Sequence, residues 1–97
     1  MSNSKADQIR AEREKAWIGD AVLALFARKY VLRERGCMDG EWFTMLTSNG
    51  FLTAFGNPTS VEAKIGEIYT EEGLDAAFLW IDETFVPLFR KQMNKRK

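Results

Sequence analysis

The 97-residue chain contains no histidine. That absence removes a histidine general base, a histidine metal ligand and the usual Ser–His or Cys–His nucleophile pairs. Its one cysteine, Cys37, has no partner for an internal disulfide and stands in no metal-ligand spacing. A reducing, cytoplasmic setting is the expectation. No run approaches the ~18 consecutive apolar residues of a membrane helix, and the opening MSNSKADQIRAEREK lacks the apolar stretch of a signal peptide. No membrane partner is therefore expected. Fourteen Lys and Arg balance fourteen Asp and Glu, so no global field draws the chain toward an anionic partner. Any catalysis must use carboxylates, lysine, tyrosine or a bound cofactor.

The sequence is also short of β-branched alternation, and it carries no repeat. What it does carry is 45% hydrophobic residues beside 29% charged ones, a globular rather than a disordered balance. Its length admits one domain, residues 1–97, with residues 1–8 and 95–97 expected as flexible ends. The apolar spacing from Ile9 or Ala11 to Arg35 predicts a long central helix, stopped by Gly36. Asp39 is suited to cap a second helix, read as continuing past Asn49-Gly50 to Phe55. Gly56-Asn57-Pro58 marks a turn into a third helix reaching about Glu71, ended by Gly73. A fourth, Leu74 to about Asn94, has a clean apolar stripe and Pro87 inside it, where a kink is expected. The class is all-α, with four to five helices.

Asp20 is the one charged residue between Ala16 and Ala27. Small neighbours, Gly19 and Ala24 among them, let another helix come close. In the third helix Glu62 has Gly66 one turn on. Two helices crossing at these small residues would bring Asp20 and Glu62 together, and two carboxylates so placed repel unless a proton or a cation offsets them. Magnesium suits such a place, because it takes hard oxygen ligands and is held by as few as one or two carboxylates. Other roles are open to both acids. Thr59-Ser60-Val61-Glu62 has capping-box spacing, although Asn57 with Pro58 competes for that cap, and Asp20 could pair with Arg13 or a lysine.

The segment AWIGDAVLALFARKYVL, followed by TSVEAKIGEIYTEEGLDAAFLWI, resembles the ribonuclease III domain. The first matches that family's signature helix with its hydrophobic-Gly-Asp core. The second matches its Val-Glu-Ala-x-Ile-Gly helix, and MDGEWFTMLTSNGFLTAFG between them is similar to the intervening helix. The match runs from about Glu12 to Phe85. The resemblance implies a two-fold homodimer that cleaves double-stranded or structured RNA in RNA processing. It also implies Asp20 and Glu62 as catalytic residues and ligands of Mg²⁺, or of Mn²⁺ in its place. Trp17 matches the aromatic that packs into the partner subunit. Asp39 falls near an acidic position of the family, and Thr59 occupies the place of a further aspartate. Both are carried over as supporting positions.

Ala16 and Arg13 stand where the longer signature has glutamates. The mini ribonuclease III type, which lacks a double-stranded-RNA-binding domain, is similar in these features. Only GNPT separates Phe55 from Ser60, where the family inserts a segment bearing RNA-contact residues. RNA contact would then fall to clusters such as Arg28, Lys29 and Arg33. Two functions follow as alternatives: a Mg²⁺-dependent endoribonuclease, or a catalytically inactive RNA-binding or dimerisation module of the same fold.

Overall fold

The computed structural model describes residues 4–95, and these are almost entirely helical, with no strand among them. Helix α1 spans Lys5–Arg35, α2 Gly40–Thr47, α3 the single turn Asn49–Leu52, α4 Pro58–Glu72 and α5 Leu74–Lys95. A 3₁₀ turn, Thr53–Phe55, follows α3.

Helix α1 begins earlier than its apolar pattern does. The Asp7 N–H donates to the Ser4 hydroxyl oxygen at 3.1 Å, and this cap starts the helix at Lys5. Residues 5–8 are therefore helical, ahead of the expected start at Ile9 or Ala11; residues 1–3 and 96–97, part of the ends expected as flexible, lie outside the described residues. The helix stops at Gly36, whose φ of 76° is left-handed and whose N–H donates to the Leu32 carbonyl at 2.9 Å. Asp39 caps α2 as expected, accepting from the Trp42 N–H at 3.1 Å.

The expected continuous helix from Asp39 to Phe55 is broken instead at Ser48. That residue is extended (ψ 152°), and its hydroxyl accepts from the Phe51 N–H at 3.1 Å. A serine side chain offers the backbone an alternative to the helical ladder, and here it starts a new turn that buries Phe51 and Leu52. Asn57 then caps α4 by accepting from the Ser60 N–H at 3.2 Å, with Pro58 in the first turn. Helix α5 runs through Pro87. The bond this proline cannot make is the one to the Glu83 carbonyl, and both residues are exposed.

The core gathers where α1, α4 and α5 meet, around Leu23, Ile65, Ile81, Phe85 and Phe89, each at most 1% exposed. Aromatic rings fasten the short middle segment onto it: Phe55 stacks on Phe85 at 4.7 Å, and Trp42 meets Phe89 edge-on at 5.2 Å. The resulting body is elongated, 54 × 24 × 20 Å. Part of that length is the N-terminal stretch of α1, Lys5–Lys15, which is exposed throughout. No described helix is long and apolar enough to cross a membrane.

Candidate functional site

Helix α4 crosses α1 with backbone against backbone. A Cβ on Gly19 would overlap the Glu62 carbonyl oxygen and stand 2.9 Å from the Gly66 nitrogen. Reciprocally, a Cβ on Gly66 would overlap the Lys15 carbonyl oxygen and stand 3.1 Å from the Gly19 nitrogen. Only two glycines permit so close an approach. The contact is held on its outer side by polar links: Lys15 Nζ lies 3.3 Å from Glu67 Oε2, and the Ser60 hydroxyl donates to Glu12 Oε2 at 2.9 Å.

Asp20 follows Gly19 on α1, and Glu62 precedes Gly66 by one turn of α4. The crossing therefore sets their side chains at one edge, as the small-residue spacing led us to expect. Asp20 is exposed and Glu62 half-buried, and Asp20 lies near enough to act on the protonation of Glu62. Burial, then the hydrogen bond to Asp20, then the charge of Asp20 push the Glu62 pKa from 4.5 to about 7. Among the described residues neither acid has a lysine or arginine within ion-pair distance. The expected competition for the α4 cap is resolved in favour of Asn57. Glu62 is left free of that role.

This proton has a measurable consequence in the absence of divalent metal. Unfolded, Glu62 releases it near pH 4.5; folded, the group holds it until about pH 7. Between those values the folded state binds more protons, so the contribution of Glu62 to stability falls as pH rises through the window. Glu62→Gln should remove that slope. We expect the variant to melt several degrees above wild type at pH 8, equivalent to roughly 1–2 kcal/mol once solvent screening is allowed for, and to match it near pH 4. Parallel melting curves at both pH values would refute the shared proton.

The remaining positions are placed as follows. Asp39 is engaged as the α2 cap and in an ion pair with Arg35 at 3.2 Å. Thr59 sits half-buried in the first turn of α4, one turn before Glu62. The Arg28 guanidinium lies 4.4 Å over the Phe43 ring, and Arg33 pairs with Glu34 at 3.3 Å, while Lys29 makes no ion pair among the described residues. Trp17 is 81% exposed, which takes it out of the monomer core.

An open groove beside Trp17, lined by Ile18, Leu25, Tyr69 and Leu74, was not anticipated. Ile18 and Leu25 had the spacing of core residues. The signal that separates them is angular: they lie on the flank of α1, about a third of a turn from Gly19, the residue that faces α4. Among the described residues no group of three or more His, Cys, Asp or Glu side chains is placed to hold a metal, so the site consists of two acids. Compared with protein-family models, curated proteins and solved structures, the chain has no match in any of the three.

Proposed function

We propose that this protein is a minimal Mg²⁺-dependent endoribonuclease that cleaves double-stranded or structured RNA as a homodimer. The observation that carries the reading is the juxtaposition of Asp20 and Glu62 at a backbone-to-backbone crossing, with no cationic side chain among the described residues in an ion pair with either. Their donor set fits the ion. Two carboxylates offer hard oxygens, and their open side leaves room for the waters and phosphate that Mg²⁺ retains. Bound there, the ion supplies Lewis-acid stabilisation of charge on a phosphodiester and activates water toward it.

The chain's own residues account for the rest. To hold the ion Glu62 would have to give up its proton, which would couple loading to pH. Gly19 and Gly66 fix the separation of the two carboxylates through the main chain, so the pair is preorganised. Arg28, Lys29 and Arg33 supply positive charge for phosphates, and A-form RNA would be met by shape across its minor groove. With zero net charge that contact is weak, and low salt favours it. The resemblance to mini ribonuclease III supports the same reading.

A second reading, an inactive RNA-binding or dimerisation module, is favoured by one observation, the lack of a third acid beside the pair. One assay separates them. Labelled double-stranded RNA incubated with the protein at low salt should be cut in Mg²⁺ or Mn²⁺ and left intact with chelator. RNA that stays whole under every metal condition would overturn the nuclease, and retained binding without cleavage would establish the module.

A further inference from the structure

The N-terminal arm of α1, Lys5–Lys15, is exposed throughout, and it continues without a break into the part of the helix that carries Asp20. At 3.6 residues per turn, Lys5, Ile9, Arg13, Ala16 and Asp20 fall within about 40° of one line along α1. Lys5 and Arg13 are the charged members of that line ahead of Asp20. Both are exposed, and neither makes an ion pair among the described residues. The acids of the arm are turned elsewhere: Asp7 and Glu14 lie on the opposite side of the helix, and Glu12 accepts from the Ser60 hydroxyl at 2.9 Å. Arg10 is taken up by Asp7.

We propose that this line is a rail for the phosphate backbone of the RNA strand that meets the acid pair. Arg13 stands about 10 Å along α1 from Asp20, and Lys5 about 22 Å. The two cations therefore flank the reacting phosphate on one side and hold the strand that leads to it. A guanidinium suits the nearer position, because it grips a phosphate through two parallel N–H donors and so fixes its orientation. Lysine, a point charge on a flexible stem, suits the farther one. Ala16, small and buried, leaves the path between Arg13 and Asp20 clear.

Arg28, Lys29 and Arg33 do not fill this place. Arg28 lies over Phe43 and Arg33 against Glu34, while Lys29 stands half a turn around α1 and about 13 Å beyond Asp20. They serve phosphates away from the acids. The arm's own links to the body, made by Glu12 and Lys15, are both directed toward α4. The rail is thus left open to solvent, free to follow the shallow groove of A-form RNA where phosphates and 2′-hydroxyls are displayed. The proposal rests on RNA as the substrate of the preceding section, and it requires neither a dimer nor cleavage.

A short labelled RNA duplex is the probe, with binding to the full chain read by fluorescence anisotropy over a salt series with chelator present, and KM read for its cleavage in Mg²⁺. Arg13→Ala should weaken binding roughly threefold to tenfold and lower the slope of log affinity against log salt by about 1. KM should rise by the same factor. Lys5→Gln should add a like loss, and Arg13→Lys should keep the slope. Lys64→Gln removes the same charge from the side of α4 opposite Glu62 and should match wild type. Arg13 has no ion pair within its chain to lose, and alanine preserves the helix, so circular dichroism should be unchanged. If wild type neither binds the duplex nor cuts it at low salt, the rail and the RNA reading both fall. If it does either, and Arg13→Ala matches it in that readout or Lys64→Gln loses as much, the rail alone falls.

Discussion

Gly19→Ala is expected to destabilise the protein by about 3–4 kcal/mol, the upper range for overpacking a tight contact. The single added carbon meets main-chain atoms of α4, the Glu62 carbonyl and the Gly66 nitrogen, rather than the movable end of a side chain. The two helices must therefore separate. Alanine's better helix propensity returns at most ~1 kcal/mol. Because domains of this size are stable by only about 5–15 kcal/mol, the loss would show as a fall of well over ten degrees in melting temperature. Gly66→Ala should behave alike, and Gly40→Ala, where a Cβ meets nothing within 4 Å, is the control. A Gly19→Ala variant melting within two degrees of wild type would mean that α1 and α4 do not touch main chain to main chain. The separation would also carry Glu62 away from Asp20, so any variant that remained folded would lose part of the raised pKa.

Asp20→Asn should lower RNA cleavage about 10³-fold, close to 4 kcal/mol in the barrier, while leaving the fold intact and, above neutral pH, raising the melting temperature slightly as Glu62 loses a like-charged neighbour. Asparagine keeps the shape of the side chain and one oxygen but removes the charge that would bind the ion. The exposed position of Asp20 makes a loss of folding an implausible cause. Single-turnover cleavage across a range of Mg²⁺ concentrations is the measurement. The half-saturating concentration should rise as the rate falls. Cleavage within fivefold of wild type would remove Asp20 from the site and with it the two-carboxylate mechanism.

Much of the fold is legible in the residues because local and long-range preferences agree. Gly36, Asp39, Asn57-Pro58 and Gly73 end or start helices where their chemistry suits them, and the structure uses each one. The acid pair was legible for a related reason: Gly19 beside Asp20 and Gly66 beyond Glu62 name the faces that touch. Two features were not. The break at Ser48 turns on whether a hydroxyl bonds to the ladder or starts a new one, and that choice is made by the burial of Phe51 and Leu52, a tertiary effect. The early start of α1 depends on one cap at Ser4, ahead of any apolar periodicity. The exposure of Trp17 is likewise decided by packing. On sequence alone a large ring has an equal claim on the core.

The elongation of the body bears on how its mass should be read. A particle 54 Å long and 24 × 20 Å across has more friction than a sphere of equal weight. It will leave a gel-filtration column somewhat ahead of globular standards near 11.1 kDa, so elution volume overstates the mass of a lone chain. Light scattering reads mass apart from outline, and for this protein it should return a lower mass than elution volume does.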